Sequence, residues 1–204
     1  MARIEFFYDL TSPWTYLAYT GVQPIVRKYQ ADIEWRPILV GGVFNAVNQE
    51  LYAKREAAFS NERQLKHMLK DLADWAALRQ IELRWPEFHP ASAVKCMRGC
   101  FVAEAAGKLL DYNLAVFEAY WGRCEDVSQD SVLMDIVDGL GLNPDTFLED
   151  IQAQPVKDRL RANTDELITR GGFGSPTIFV NGDDMYFGND RLPLLEAALS
   201  RLSR

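Results

Sequence analysis

Histidine, cysteine and long apolar runs are scarce in this chain of 204 residues, and each scarcity excludes a class of protein. The two histidines, His67 and His89, stand in no metal-ligand or catalytic-triad spacing. We therefore expect ordinary helix-surface or loop residues and no metal. No segment approaches the roughly 18 apolar residues of a membrane span, and the apolar run in MARIEFFYDL is too short for a signal peptide. A metalloprotein and a membrane protein are thus disfavoured.

Basic clusters and paired cysteines are lacking as well. The net charge is −7, the isoelectric point is near 4.9 and no block of lysine or arginine is present, so nucleic acid and anionic membrane are not expected as partners. The three cysteines, Cys96, Cys100 and Cys124, form no disulfide framework. The first two stand four residues apart in a helical pattern, which favours packed core side chains. Three cysteines without a disulfide framework fit a reducing, cytoplasmic location.

The chain begins with the pattern of a strand, a helix and a second strand. The segment RIEFFY, residues 3–8, alternates so that Ile4, Phe6 and Tyr8 share one face. Pro13 opens a helix that extends to about Tyr29. The segment DIEWRPIL, residues 32–39, predicts a second strand in which Pro37 marks an edge or an end. Two strands joined by a helix predict a parallel pair with a crossover connection.

From about Phe44 to Gln154 the sequence indicates helices almost throughout. Gly41-Gly42 and the mixed stretch 45–61 are interpreted as connection, and Asn143-Pro144 has the residues of a helix start. Apolar residues recur at the helical period, and we expect them to form a mutual core. They are Leu65, Met68, Leu69, Leu72, Trp75 and Ala76, then Val94, Met97, Phe101 and Ala105, and then Leu114, Phe117 and Trp121.

Strand signals return near the end of the chain. Gly171-Gly172 stops a helix, PTIFV predicts a strand, Asn181-Gly182 a turn and MYF the returning strand. Asp190 is a suitable N-cap for the last helix. The order of elements predicts an α/β protein. Its thioredoxin-like domain, residues 1–43 and 155–204, is interrupted by a large all-helical insert domain, residues 44–154.

The stretch YDLTSPWTYLA, residues 8–18, permits two interpretations of Ser12. Ser12 followed by Pro13 is an ordinary helix start, which requires no function. Alternatively, Ser12 follows the first strand, where thioredoxin-like folds keep their reactive group. Gly174-Ser175-Pro176-Thr177 precedes the late strand, where such folds place a proline, commonly cis, that faces the helix N-terminus. The two positions together point to a site more specifically than either one alone.

Four segments resemble the 2-hydroxychromene-2-carboxylate isomerases. The relatives of that family are the kappa-class glutathione transferases and, more widely, the thioredoxin-like proteins that form disulfide bonds. The resemblance covers essentially the whole chain, and its motifs stand in the family's order and spacing. The segments are FYDLTSPWTYLA (7–18), GGVF (41–44), GFGSPTIFVNG (172–182) and FGNDRL (187–192).

Comparison with the wider group shows that two cysteines are replaced at the helix start. Redox members of the wider group have C-P-x-C where this chain has Ser12-Pro13-Trp14-Thr15, so a dithiol–disulfide cycle is not available there. What remains is a hydroxyl and N–H donors at a helix N-terminus, which favours an anion. The resemblance implies that the anion is the thiolate of bound glutathione and that Ser12 is a catalytic donor to its sulfur.

Further site residues are implied by the resemblance. The backbone of Ser175, before Pro176, would pair with the cysteinyl unit of glutathione, and Asn189 and Asp190 would hold its γ-glutamyl end. Asn48 lies one residue short of the family's asparagine for the glycyl end. The resemblance also implies an aromatic-substrate pocket, to which Trp14, Phe44 and Trp85 contribute unless they are core residues. It further implies a homodimer.

The predicted function is that of a glutathione-dependent isomerase. It would convert a small aromatic acid of the 2-hydroxychromene-2-carboxylate type to trans-o-hydroxybenzylidenepyruvate and regenerate glutathione in each turnover. Two alternatives stay open at this point. One is a kappa-like transferase that conjugates glutathione to electrophiles, and the other is a non-catalytic thioredoxin-like binding module.

Overall fold

A four-stranded mixed sheet forms the base of the fold. We analysed a computed structural model, which describes residues 2–47, 49–50 and 61–203. The strands lie in the order β2-β1-β3-β4. β1 is parallel to β2 and antiparallel to β3, and β3 is antiparallel to β4. The strands are β1 (Arg3–Tyr8), β2 (Asp32–Pro37), β3 (Thr177–Val180) and β4 (Asp184–Phe187).

The helices divide into those that flank the sheet and those between β2 and β3. A π-helical turn, Glu118–Gly122, follows α5, and a 3-10 turn, Asn189–Arg191, precedes α9. The helices are α1 (Pro13–Tyr29), α2 (Val40–Val47), α3 (Glu62–Arg79), α4 (Val94–Ala105), α5 (Leu109–Phe117), α6 (Asp130–Gly139), α7 (Pro144–Asp150), α8 (Gln154–Thr169) and α9 (Leu192–Leu202).

The thioredoxin-like order with a helical insertion is confirmed. β1 and α1 have the predicted bounds, and Pro37 both ends β2 and lies on an edge strand. A proline is tolerated there because no neighbouring strand needs its missing N–H. The predicted turn between β3 and β4 contains Asn181 and Gly182 at positive φ, 50° and 107°, where asparagine and glycine carry the smallest steric cost.

Two predictions for the middle of the chain are wrong. Gly41 and Gly42 lie within α2 and not in a connection, because the apolar neighbours Val43 and Phe44 are buried and hold this turn against the protein. Conversely, residues 80–93 form no helix. Pro86 and Pro90 interrupt this segment, and a proline disfavours helical geometry in the residue before it.

Alternation along β1 separates the two faces of the sheet. Ile4, Phe6 and Tyr8 point into the main core, where they meet residues of α1 and α9. Phe7 points to the opposite face and packs with Leu167 of α8 and with other apolar side chains. The side chains of β1 therefore alternate between the two faces of the sheet, and both faces are buried. Helices cover the sheet on both sides.

The main core continues from the sheet into the helices between β2 and β3. Tyr16 of α1 stacks on Phe117 of α5 with ring centroids 4.7 Å apart and an interplanar angle of 11°. Cys96 and Cys100 are fully buried in this core, as predicted, and burial raises the pKa of both thiols. By contrast, Leu69 and Leu114 of the predicted apolar stripes are 41% and 39% exposed. The division into domains at residues 43 and 155 stays a prediction.

The close contact of α4 with its neighbours generates a stability prediction. A Cβ at Gly99 would lie 2.6 Å from Phe147 Cζ and also against the Tyr112 side chain. The Tyr112 hydroxyl donates a 3.0 Å hydrogen bond to the Cys96 carbonyl. Gly99→Ala should therefore lower the free energy of unfolding by about 2–4 kcal/mol through overpacking and loss of that bond, measured by urea denaturation.

Gly139→Ala is the matched control. No atom lies within 4 Å of a Cβ at Gly139, in α6, so this variant should be stable to within about 1 kcal/mol of the wild type. Equal stability of the two variants would contradict the packing described for α4.

Candidate functional site

A cleft of about 680 Å³ adjoins the N-terminus of α1. Its walls come from the β1–α1 connection, the start of α2, the non-helical segment before α4, and the ends of the β3–β4 region. Trp14, Phe44 and Trp85 all line this cleft, together with Ser12 and Ser175. The residues predicted for the helix start and for the aromatic pocket are thus brought together, although they lie far apart in the sequence.

Ser12 caps α1 and faces the segment before β3. Its Oγ accepts a hydrogen bond from the Thr15 N–H at 3.3 Å and donates one to the Ser175 carbonyl at 3.4 Å. The first bond is the ordinary role of an N-cap serine. The second is at the long limit of hydrogen bonding, so the hydroxyl proton is weakly held. Ser12 can therefore keep its capping bond while its proton turns to another acceptor in the cleft.

Ser175 turns its side chain inward and its backbone to the cleft. The peptide bond between Ser175 and Pro176 is cis, as expected for this position. Ser175 Oγ accepts from the Asp9 N–H at 2.9 Å and shares a 2.7 Å hydrogen bond with Thr15 Oγ1. Among the described residues, the Ser175 N–H has no hydrogen-bond acceptor. The main chain at this point can therefore pair with an extended ligand, as an added strand does.

Asp9 is a buried carboxyl that sequence reasoning did not single out. It is 1% exposed and lies on the wall of the cleft. One oxygen accepts from the N–H and the hydroxyl of Thr11 at 2.9 and 2.8 Å, and the other accepts from the Val40 N–H at 2.9 Å. Burial raises the pKa of the Asp9 carboxyl, although these donors oppose the shift. The carboxyl connects the Ser12 loop with the start of α2.

The connection between β1 and α1 is also fastened from the helical insertion. The Trp121 Nε1–H donates to the Leu10 carbonyl at 3.2 Å, and the Leu10 N–H donates to Met97 Sδ at the same distance. Both partners belong to elements between β2 and β3. The loop that carries Ser12 is therefore held from both sides, which favours a fixed geometry at the site.

His89 is a cleft residue that sequence reasoning missed. It was predicted to be an ordinary surface or loop residue, and it does lie in the non-helical segment, but it also lines the cleft. His67, by contrast, is exposed on α3, as predicted. No motif or spacing in the sequence marks His89. Its position results from the packing of Trp85 and Trp121 around it, with ring centroids 4.7 and 5.2 Å away.

Asn189 and Asp190 are not among the described residues that line the cleft; they directly follow Gly188, whose N–H donates to the Pro176 carbonyl at 3.1 Å. Asn189 is 1% exposed, and its Nδ2 has no hydrogen-bond partner among the described residues. Its Oδ1 accepts from Arg79 Nη2 at 3.4 Å. A buried amide nitrogen without a partner is uncommon, so this position has a donor to offer to a ligand.

The prediction that Asp190 caps the last helix is wrong. Asp190 lies inside the 3-10 turn, and α9 begins at Leu192 with Arg191 as its N-cap, which makes no side-chain capping bond. The physical reason is Pro193 in the first turn, which lacks an N–H to be capped. The Asp190 carboxylate is exposed and forms a 2.5 Å ion pair with Arg191. Asn48, predicted for the glycyl end of glutathione, lies outside the described residues.

Metal and membrane features are also absent from the part of the chain that the structure describes. Within residues 2–47, 49–50 and 61–203, no group of three or more His, Cys, Asp or Glu side chains could hold a metal ion. Over the same described ranges, no helix is both long and apolar enough to cross a membrane.

Comparisons with known proteins show which family this chain is similar to. A model of the DSBA-like thioredoxin domain matches residues 3–200. The 2-hydroxychromene-2-carboxylate isomerase of Sphingobium xenophagum is 29% identical, and the alignment covers 96% of this chain and 97% of that protein. Glutathione S-transferase kappa 1 of Rattus norvegicus is 25% identical, with 94% and 88% covered. A solved 2-hydroxychromene-2-carboxylate isomerase superposes with a TM-score of 0.82 at 28% identity, with 99% and 96% covered.

The N-terminus of α1 should lower the pKa of a thiol placed there. In Ser12→Cys, the free N–H groups and the helix dipole favour a thiolate, so its pKa should fall from about 8.5 to about 7.5 or below. The pH dependence of alkylation by iodoacetamide measures it, with the wild-type chain as background. Ser203→Cys, at the carboxyl end of α9, is the control and should show no decrease. Equal pKa values in the two variants would exclude an anion-stabilising helix start.

The raised pKa of Asp9 predicts how stability depends on pH. The folded chain binds a proton at Asp9 more tightly than the unfolded chain does, so this contribution is largest below the ordinary value of 3.8 and is lost as the pH rises through the raised pKa. The unfolding free energy of the wild type, relative to Asp9→Asn, should therefore fall as the pH rises above the ordinary value of 3.8. Urea denaturation at each pH measures it. A difference between the wild type and Asp9→Asn that stays constant with pH would contradict the raised pKa.

Proposed function

This chain belongs to the family of DSBA-like thioredoxin domains, and we propose that within this family it is a glutathione-dependent isomerase. The proposed reaction converts a 2-hydroxychromene-2-carboxylate to trans-o-hydroxybenzylidenepyruvate. Isomerases of this name are similar over nearly the whole length of the chain. Kappa-class glutathione transferases are similar as well, which supports the use of glutathione.

The observation that carries this proposal is the Ser12 hydroxyl at the start of α1. It lies in a cleft whose described lining residues include no cysteine, so a thiol for chemistry there has to come from a bound molecule. Ser12 and the adjacent Ser175 backbone offer a weakly held proton and an N–H donor. These groups suit an anionic sulfur on an extended peptide-like ligand.

We propose that donors of this chain hold glutathione at three points. We propose that Ser12 donates to the sulfur and that the Ser175 main chain, before Pro176, pairs with the cysteinyl unit. Asn189, whose buried Nδ2 has no partner among the described residues, would hold the γ-glutamyl end together with Asp190. The contact of Asn48 with the glycyl end of glutathione stays a prediction.

One hydrogen bond and the helix N-terminus together can supply the free energy needed to stabilise a thiolate beside Ser12. Lowering a thiol pKa from about 8.5 to about 7 requires roughly 2 kcal/mol of preferential stabilisation of the anion. A charge-assisted hydrogen bond contributes about 1.5–3 kcal/mol, and the helix N-terminus adds up to about 1 kcal/mol. Ser12 is then a donor that holds the reactive sulfur as an anion and is not itself the nucleophile.

The chemistry divides between the bound thiol and the protein. Glutathione, when bound, supplies a thiolate that adds reversibly to the conjugated substrate and leaves again after rotation about the former double bond. The chain's part is to keep that thiolate deprotonated at Ser12 and to orient the substrate. We propose that Trp14, Phe44 and Trp85 stack against its aromatic ring and exclude water, since flat aromatic groups favour such contacts.

A glutathione-dependence assay tests the proposal. Purified protein should isomerise 2-hydroxychromene-2-carboxylate only with added glutathione, and the glutathione concentration should be unchanged after many turnovers. Isomerisation at full rate without any thiol would contradict the proposal. Consumption of one glutathione per turnover would instead identify a kappa-like transferase, which the 25% identical rat relative keeps as the second candidate.

Ser12→Ala separates a catalytic serine from a simple helix cap. Loss of the cap alone should lower stability by about 1 kcal/mol and leave the rate unchanged. Loss of a donor to the thiolate should lower kcat by about 100-fold or more. We expect both effects, measured by urea denaturation and by the isomerisation rate. Asn143→Ala, which removes the equivalent cap of α7, is the control for the stability effect alone. If Ser12→Ala keeps full activity, the non-catalytic interpretation of Ser12 stands.

The cytoplasmic location and the homodimer stay predictions. They are implied by the cysteine usage and by the resemblance, and sedimentation of the purified chain measures the oligomeric state directly.

A further inference from the structure

We propose that the Arg79 guanidinium binds the α-carboxylate of the γ-glutamyl unit of glutathione and thereby makes the protein select γ-glutamyl thiols. The inference rests on the proposed function, in which the γ-glutamyl end lies at Asn189 and Asp190. It assigns to Arg79, which no motif in the sequence marks, a contact with the thiol cofactor away from its sulfur.

The first argument is that Arg79 carries a charge which no described carboxylate compensates. The side chain is half-buried near the end of α3. Among the described residues it forms no ion pair, and burial lowers the pKa of its guanidinium without an opposing effect from an acidic group. Its Nε is buried and has no hydrogen-bond partner in this part of the chain. A cation removed from water in this way is destabilising unless an anion pairs with it.

Two other half-buried arginines of this protein are compensated. Arg36 forms an ion pair with Glu34 at 2.9 Å. Arg170 forms one with Glu5 at 2.8 Å. Arg79 differs from both, and the counter-ion that it lacks among the described residues is what the carboxylate of a ligand would supply.

The second argument is that the surroundings hold the guanidinium in place. It lies over the Trp75 ring, 5.6 Å from the ring centroid. A Cβ at Gly21 of α1 would lie 2.5 Å from Arg79 Cζ, so the glycine leaves room for the guanidinium to lie against this helix. Nη2 donates to Asn189 Oδ1 at 3.4 Å. A charged group that is already fixed in this way loses little further entropy when a ligand binds.

One nitrogen of the guanidinium is open to a ligand. Nη1 has no hydrogen-bond partner among the described residues and, unlike Nε, is not enclosed by the protein. A carboxylate can therefore reach Nη1 while Nη2 keeps its bond to Asn189. Hydrogen bonds between a guanidinium and a carboxylate are roughly twice as strong as those between neutral groups.

The third argument is the path from the Ser175 main chain to Arg79. Ser175 precedes Pro176, whose carbonyl accepts from the Gly188 N–H at 3.1 Å. The residue after Gly188 is Asn189, whose amide contacts Arg79. A γ-glutamyl unit is about as long as two extended residues, roughly 7 Å. A thiol ligand whose cysteinyl unit pairs with the Ser175 main chain can therefore extend its γ-glutamyl end toward this arginine.

The γ-glutamyl end carries a carboxylate and an ammonium, which need partners of opposite charge. The exposed Asp190 carboxylate suits the ammonium and repels the carboxylate. Arg191 already forms a 2.5 Å ion pair with Asp190, so its charge is compensated. Among the described residues beside Asn189, Arg79 is thus the cation left for the carboxylate.

Titration calorimetry with three thiols tests this contact. Arg79→Gln should weaken glutathione binding by about tenfold or more. 4-Aminobutyryl-cysteinylglycine lacks only the α-carboxylate. It should bind the wild type about tenfold more weakly than glutathione, and Arg79→Gln should not weaken it further. Glutaryl-cysteinylglycine lacks only the α-ammonium and should still lose affinity in Arg79→Gln. Arg27→Gln, which removes an exposed charge near the end of α1, is the control and should leave all three affinities unchanged.

Kinetics and a packing variant test the same contact in other ways. Arg79→Gln should raise the KM of glutathione about tenfold and leave kcat at saturating glutathione within about twofold, since Arg79 contacts the γ-glutamyl end and not the sulfur. Gly21→Ala should displace the guanidinium and reproduce part of the loss of glutathione affinity, whereas Gly139→Ala should not. Without a ligand, Arg79→Gln should resist urea at least as well as the wild type, because it removes an uncompensated charge.

The outcomes separate the failure of this inference from that of the proposed function. Glutathione binding that depends on Arg79, with no isomerisation, would support the carboxylate contact and reject the proposed reaction. Glutathione-dependent isomerisation with unchanged glutathione affinity in Arg79→Gln would overturn the inference and leave the proposed reaction intact. An Arg79→Gln loss that is equal with and without the α-carboxylate would overturn it as well. If the wild type neither binds glutathione nor isomerises the substrate, both are rejected.

Discussion

The geometry of the cleft depends on a buried hydrogen-bond network that centres on Asp9 and Ser175. The Asp9 carboxyl accepts from Thr11 and Val40, and the Asp9 N–H donates to Ser175 Oγ. Ser175 Oγ in turn bonds to the Thr15 hydroxyl inside the first turn of α1. The start of α1, the start of α2 and the segment before β3 are thereby fixed to one another. Such networks require every member to be satisfied, because an unpaired buried polar group is costly.

The same network places a carboxyl beside a position that favours anions. The N-terminus of α1 attracts negative charge, whereas an ionised Asp9 repels it. Burial already raises the pKa of this carboxyl, and the donors from Thr11 and Val40 limit the rise. The two effects act in opposite directions on the same group. The proposed binding of a thiolate at Ser12 therefore has to be favourable enough to tolerate the neighbouring carboxyl, which explains the need for several donors and not one.

The helical segment between β2 and β3 completes the site that the sheet begins. It supplies Trp85 and His89 to the cleft wall, and Met97 and Trp121 hold the loop before Ser12 through Leu10. Its side chains also share the main core with the sheet and α1. A thioredoxin-like scaffold alone offers a helix start and a facing proline. The inserted segment adds an aromatic wall to the cleft, which supports the flat substrate proposed above.

Sequence alone determined the elements whose signals are local. The bounds of β1 and α1, the cap at Ser12, the turn at Asn181-Gly182 and the order of elements all follow from periodicity and from the residues at the ends, since these act over a few neighbouring positions. The resemblance of motifs identified the family for the same reason. Trp14, Phe44 and Trp85 could be named as pocket residues only beside the alternative of core packing.

Only the tertiary structure decided which of these residues meet. It showed that Gly41 and Gly42 are helical, that Asp190 is not a cap, that Asp9 connects segments remote in sequence, and that His89 lies in the cleft. The positions of Asp9 and His89 have no short-range signal. Each depends on contacts between residues separated by tens of positions along the chain, and such contacts form because burying apolar surface brings elements together irrespective of their order.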